Sequence, residues 1–308
     1  MSSISENIKQ QFNSGSMVIK LVMVNVGFFI VSLLVSILIK LGNPSFEIAN
    51  YYGASSNFME LIFKPWTIVT YMFAHSFGGI SHLFWNMIML YFSGSYFVNK
   101  IGNKKLLSLY LAGGIAGYLL FALGFNFLPA FSLFSDSFLI GASASVTTIM
   151  VVIGVLYPND EIRLMFIPQP IKLIYIVGFF ILLDFIKLQA SIGLEGANQG
   201  GWLSHLGGAF FGFFYATRMK QGKNILKRFE IFLDNLFSLN FPKFFVKKNT
   251  SKLKVEKGGK PPRDDYNYNE NKVKSQQQTD VILDKISKSG YESLSKKEKD
   301  FLFKQSKK

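Results

Sequence analysis

The run Leu21-Val22-Met23-Val24-Asn25-Val26-Gly27-Phe28-Phe29-Ile30-Val31-Ser32-Leu33-Leu34-Val35-Ser36-Ile37-Leu38-Ile39 carries no charged side chain in 19 positions. That is close to the ~20 apolar residues a helix needs to cross a bilayer. Five further runs follow, at 82–99, 106–128, 137–159, 173–188 and 202–217; the fifth is the weakest, because Asp184 and Lys187 interrupt it. Hydrophobic residues make up 49% of the 308 and charged residues 17%, against about 25% charged in an ordinary soluble domain. The expected fold is therefore an all-α polytopic membrane protein with six transmembrane helices. The chain has no Cys and only three His, at positions 75, 82 and 205. Disulfides, thiolate metal sites and cysteine nucleophiles are excluded, and any imidazole chemistry must use those three rings.

Charge is distributed unevenly. Residues 218–308 hold 23 Lys/Arg and 11 Asp/Glu, whereas residues 1–217 hold 10 and 8. A basic balance can mark a nucleic-acid binder, but cations that follow apolar spans are explained more economically by the positive-inside rule, and no nucleic-acid partner is expected. With the N-terminus placed inside, Lys9, Lys20, Lys100, Lys104, Lys105, Arg163, Lys172 and the tail cations fall inside, and only Lys40, Lys64 and Lys187 fall outside. Both termini are thus expected to be cytoplasmic. The polar N-terminus does not read as a secretory signal, and the first span is expected to be retained. The chain divides into a cytoplasmic segment 1–16, a membrane domain 17–220, a basic amphipathic segment with a disordered linker 221–278, and a short helical motif 279–308.

In this orientation the even-numbered spans run from outside to inside. The N-terminal end of span two holds His82 and Asn86, that of span four holds Gly141-Ala142-Ser143-Ala144-Ser145, and that of span six holds Ser204-His205. The polar groups that stand out in apolar surroundings therefore share one face. A helix over 141–157 would be about 25 Å long, shorter than the ~30 Å hydrocarbon core. It would start below the outer surface, fed by an inward-dipping loop over 125–139. Ser143 and His205 are a candidate nucleophile and general base, since a serine hydroxyl needs a base at neutral pH. The N–H groups at a helix start suit an oxyanion, and Asn86 lies at i, i+4 from His82 on one helix face. The competing readings are that Ser143 is a small packing residue between helices and that His205 is a hydrogen-bonded structural residue. Polar groups inside a membrane are costly, which favours function for the set.

These segments resemble the rhomboid intramembrane serine proteases. Gly141-Ala142-Ser143-Ala144 resembles their Gly-x-Ser-Gly motif. Ser204-His205-Leu206-Gly207-Gly208-Ala209-Phe210-Phe211-Gly212 resembles their Ala-His-x-Gly-Gly-x-x-x-Gly segment, and His82-x-x-x-Asn86 after Phe73-Ala74-His75 resembles their second helix. The resemblance covers roughly residues 17–220. It implies a Ser143/His205 dyad without an acidic third member and an oxyanion hole from the Ser143 backbone N–H with the Asn86 and His82 side chains. It also implies membrane-protein substrates with helix-destabilised segments, no metal and no cofactor, and a home in a bacterial inner membrane. Gly141, Gly208 and Gly212 are expected to pack helices closely. Ala144 stands where the family has Gly, and Thr67 follows Trp66 where many members have Arg.

The remaining features read more plainly. His75 is expected to brace a loop, Asp184 to pair with Lys187 one turn later, and Trp66 and Trp202 to anchor at the interface. Ser145, about 200° around the helix from Ser143, is expected to face away and bond back to a carbonyl one turn earlier. In the tail, 221–250 reads as a basic amphipathic helix, Asp280 as the cap of a helix ending at Gly290, and Ser295 with Glu298 as a capping box. Besides an endopeptidase, the sequence admits a catalytically inactive rhomboid-like protein that binds membrane-protein clients. A transporter is disfavoured by the lack of an internal repeat. A zinc metalloprotease is disfavoured by the lack of His-Glu-x-x-His.

Overall fold

The computed structural model describes residues 6, 10–12, 15–134, 137–163, 168–194, 198–238 and 265–305. Its first long helix, α1 (Met17–Lys40), opens on Ser16, whose hydroxyl accepts the Ile19 N–H. One stripe of α1 is buried, from Val18 and Leu21 through Asn25 to Ser32 and Ser36. The following segment is irregular: α2 (Ala49–Tyr52), β1 (Ala54–Ser55), α3 (Phe58–Phe63), α4 (Thr67–Thr70) and a 3-10 turn (Tyr71–Phe73). Helix α3 buries none of its residues, as an interfacial segment would not. Then come α5 (Ile80–Ile101) and α6 (Asn103–Phe127), joined through Gly102 alone at φ 116°. Only glycine adopts that conformation without strain.

After α6, β2 (Phe138–Leu139) pairs antiparallel with β1, so that Ala54 faces Leu139. This pairing ties the connection into α7 (Ser143–Leu156) to the irregular segment after α1. A short antiparallel pair, β3 (Glu161–Ile162) and β4 (Ile171–Lys172), leads to α8 (Leu173–Ser191) and α9 (Gln199–Lys220). The Asn198 side chain accepts the Gly201 N–H and caps α9.

Helix α7 is the centre of the bundle and touches α5, α6, α8 and α9. Small residues permit this. A Cβ on Gly113 would lie 2.2 Å from the Thr148 hydroxyl, on Gly117 2.5 Å from the Ala144 methyl, and on Gly208 2.3 Å from the Ala144 carbonyl oxygen. Thr148 Oγ1 lies 2.9 Å from the carbonyl oxygens of both Ala144 and Gly208 and shares its single proton between them, so α7 and α9 are also hydrogen-bonded across their contact. At the other end of the bundle Lys100 of α5 meets Asp160, just beyond α7, at 2.8 Å, and Tyr96 donates to the same carboxylate. The Lys100 ammonium and the Tyr96 hydroxyl hold the Asp160 carboxyl below its ordinary range. Helices α5 and α7 therefore run parallel, their N-termini together and their C-termini clasped.

Among the described residues, three helices are long and apolar enough to cross a membrane: Met17–Lys40, Asn103–Phe127 and Leu173–Ser191. Ser143–Leu156 is apolar but shorter, with 14 residues. The expected 141–157 helix is thus cut at both ends, with Gly141 outside it at φ 129°. Gly141 lies in the turn before α7 and not within the helix. The last bundle helix is longer than the expected 202–217 at both ends.

Helix α10 (Lys227–Ser238) occupies the front of the expected basic amphipathic segment; residues 239–264 lie outside the described residues. Its Leu233 is buried, while Ile231, Phe232 and Leu236 are exposed. Residues Met1–Pro242 and Lys243–Lys308 form two compact units. In the second, α11 (Asp265–Ser289) reaches well into the stretch expected to be a disordered linker. Asp280 lies inside that helix and does not cap it; the end at Gly290, φ 74°, is as expected. A 3-10 turn (Tyr291–Ser293) leads to α12 (Lys296–Gln305). The Ser295 N–H donates to Glu298 Oε2 at 2.7 Å and the Glu298 N–H to Ser295 Oγ at 3.4 Å, which completes the capping box. Bonds from the Ser295 hydroxyl and backbone, then the Lys285 ammonium, hold the Glu298 carboxyl down at about 2.

Candidate functional site

The N-terminal ends of α5, α7 and α9, with the middle of α8, line an open cavity of about 400 Å³. His82, Asn86, Ser143 and His205 all line it. Four residues singled out along 124 positions of sequence thus converge on one space. Apolar side chains from α7 and α8, among them Val146, Met150, Val177, Phe180 and Ile181, form most of the wall, and Trp85 and Trp202 complete it. The ionisable side chains in that wall are His82, His205, Asp184 and Lys187.

Ser143 is the first residue of α7. The turn before it is held by the Gly141 N–H, which donates to the Tyr71 carbonyl at 2.9 Å. A Cβ on Gly141 would lie 3.0 Å from both Nε2 and Cε1 of His82 and 3.6 Å from Ser143 Oγ. The absent side chain is therefore what lets the His82 ring approach the start of α7. Position 141 needs glycine twice over, for its φ and for this contact. The first helical bond runs from the Val146 N–H to the Ala142 carbonyl, so the amides ahead of Val146 have no partner within α7.

His82 sits edge-on to His75, with ring centroids 5.2 Å apart. His75 is buried, its Nδ1 is 3.3 Å from the Phe73 carbonyl, and its Nε2 has no partner among the described residues. It stands behind His82 and does not line the cavity. Asn86 donates one amide hydrogen to the His82 carbonyl at 2.9 Å. A primary amide carries two, so one remains for the cavity.

His205 departs most from the sequence reading. Its Nδ1 lies 2.9 Å from Asp184 Oδ1, with only 14% and 11% of the two side chains exposed. The expected Asp184–Lys187 pair does not form: Lys187 instead places its ammonium over the Trp202 ring, 4.6 Å from the centroid. Trp202 in turn meets His205 edge to face, 5.5 Å between centroids and 89° between planes. The dyad expected from the resemblance included no acidic companion, and α8 brings the Asp184 carboxylate to Nδ1 of the His205 ring. The signal available in the sequence was Asp184 itself, an acid inside an apolar run.

Ser145 also departs from expectation. It does not line the cavity, in line with its expected outward position, but its buried hydroxyl has no hydrogen-bond partner among the described residues. The back-bond expected of it is made one turn later by Thr148. Gly208 and Gly212 lie against the α7 backbone as expected, with Cβ positions 2.3 Å from the Ala144 oxygen and 2.8 Å from the Thr148 oxygen. Ala144 is accommodated because its methyl points into the groove left by Gly117. Thr67 bonds locally, donating to the Lys64 carbonyl at 2.7 Å. Trp66 is half-exposed and donates to the Tyr51 carbonyl at 2.8 Å.

The family model for the Rhomboid domain matches residues 63–221, and that for a family of unknown function (DUF6576) matches residues 264–308. The chain is similar to the RHOMBOID-like protein 12, mitochondrial, of Arabidopsis thaliana, 28% identical over 224 residues. That alignment covers 70% of this chain and 61% of the relative, so the chain spans less than two thirds of the relative's length. The Rhomboid match takes in α5 to α9 and with them every residue of the cavity, and it extends over more than half of the sequence. The chain is an integral membrane protein of the rhomboid family.

Proposed function

We propose that the protein is an intramembrane serine endopeptidase that cleaves transmembrane or juxtamembrane segments of other membrane proteins. The observation that carries this reading is the convergence of Ser143, His205, His82 and Asn86 on one largely apolar cavity. In this reading α1, α5, α6, α7, α8 and α9 are six membrane crossings, with both termini on the cytoplasmic face of a bacterial inner membrane. Helix α7, about 21 Å long at 1.5 Å per residue, falls short of the ~30 Å hydrocarbon core, so Ser143 lies below the outer surface. Water and an extended peptide would meet there, out of contact with lipid.

Chemically, the Ser143 hydroxyl attacks the scissile carbonyl as its proton passes to His205 Nε2. The developing oxyanion is met by the Ser143 backbone N–H, the second amide hydrogen of Asn86 and the His82 ring. His205 then returns the proton to the leaving amine, and a water activated by the same nitrogen releases the acyl-enzyme. A substrate helix must unwind to offer its carbonyl. This favours segments with helix-breaking or small residues at the cut.

The test is cleavage of a model transmembrane substrate carrying such a segment by purified protein in liposomes. The wild type is expected to cleave, and Ser143→Ala and His205→Ala are expected not to, though both insert normally. Cleavage by His205→Ala near the wild-type rate would overturn the assignment. Substrate retention without cleavage by the wild type would instead support a client-binding protein.

A further inference from the structure

We propose that Asp184 is a positioning residue for His205. Its carboxylate accepts the Nδ1–H of the ring and so fixes the tautomer in which Nε2 is unprotonated. This rests on the protease reading for its consequence, though not for its geometry. The Asp184 Oδ1 to His205 Nδ1 distance is 2.9 Å and both side chains are largely shielded from solvent. A carboxylate in an apolar helix is costly unless it has a partner. The nearest cation in sequence, Lys187, is turned to the Trp202 ring instead. That leaves the His205 ring as the polar partner of Asp184 among the described residues.

A neutral imidazole carries one proton, and the hydrogen bond made by one nitrogen determines the state of the other. A carboxylate accepts only, so it draws the proton to Nδ1 and leaves the Nε2 lone pair for the cavity. The edge contact with Trp202 limits rotation of the ring about its own axis. When His205 takes a proton during the reaction, the same carboxylate faces the resulting cation. The hydrogen bond joins α8 to α9, and Ser143 of α7 lines the same cavity as the His205 ring. Position 184 would thus serve catalysis by acting through His205.

A purely structural tether between α8 and α9 would show the same distance, so the test must read the ring itself. The chain has only three histidines, and ¹⁵N spectra of selectively labelled protein in detergent can be assigned with His75→Ala and His205→Ala. Wild-type His205 is expected to be protonated on Nδ1, and Asp184→Asn to lose that preference, with an unchanged thermal midpoint. Turnover of Asp184→Asn is expected to fall by about 10²- to 10⁴-fold, as when the acid of a serine-protease triad becomes an amide, with KM within about twofold of wild type. Asp184→Glu should recover at least about a tenth of the lost rate, because the acceptor is restored. An Nδ1–H that survives in Asp184→Asn, or turnover equal to wild type with the midpoint unchanged, would overturn the proposal. A wild-type protein that shows the Nδ1–H and its loss in Asp184→Asn, yet never cleaves, would support the positioning geometry while removing the protease reading.

Discussion

Helices α7 and α8 are both strongly apolar, yet they occupy the bundle in opposite ways. Ten of the 14 residues of α7 are buried, against four of the 19 in α8. Apolarity cannot explain the difference, because between helices in lipid it supplies no drive to associate. Small residues on neighbouring helices do explain it. Gly113, Gly117, Gly208 and Gly212 each put a backbone against α7, whereas Gly178 of α8 has nothing within 4 Å of its would-be Cβ. Helix α8 meets α7 through Val177, whose Cγ2 would lie 2.7 Å from a Cβ on Gly154, and meets α9 through Asp184 and His205. The cavity lies between a rigid wall and a lightly held one.

Substitution can break this contrast. The largest effect is expected from Gly208→Val. Its Cβ would fall 2.3 Å from a carbonyl oxygen that no rotamer change can move. Overpacking of this kind costs about 3 kcal/mol, so the folded fraction in detergent should drop sharply; an unchanged melting midpoint would mean that α7 and α9 can separate freely. Val177→Ala should cost less, about 1–2 kcal/mol, and a loss as large as that of Gly208→Val would show α8 to be as tightly integrated as α7. Ser145→Ala removes a buried hydroxyl without a partner, and thermal melts should show it neutral or up to about 1 kcal/mol more stable, with cleavage retained. Destabilisation there would reveal a hydrogen bond at that site. Smallest of all, Phe185→Ala on the exposed face of α8 should change detergent stability by less than about 0.5 kcal/mol.

The sequence showed more of the rigid wall than of the lightly held one. Gly208 and Gly212 stand at helical spacing after His205, and Ser143 follows Gly141 by two, so the convergence of α7 and α9 was legible as pattern. The position of His82 and Asn86 on one helix face was legible for the same reason. What pattern could not supply was the partner of Asp184. Lys187 is one turn away on the same helix and is the partner that spacing suggests, whereas His205 lies on the next helix and reaches Asp184 only through the packing of α8 on α9. The role of Gly141 was missed for a related reason: its φ of 129° depends on the Tyr71 carbonyl that receives its N–H, 70 positions earlier. In the tail, the Lys-, Asn- and Gln-rich composition suggested disorder as far as residue 278, yet α11 begins at Asp265. The local signals at Gly290 and at Ser295 with Glu298, by contrast, were sufficient, because a cap is made by residues three or four apart.

The central claim, that Ser143 is a nucleophile activated at the start of α7, is tested most directly by fluorophosphonate labelling of detergent-solubilised protein with the modified residue mapped by peptide mass. The account predicts a single adduct on Ser143, retained in Ser145→Ala, lost in His205→Ala and lost when the protein is heat-denatured before labelling. An adduct on Ser145, or labelling of Ser143 that survives both denaturation and the loss of His205, would contradict it.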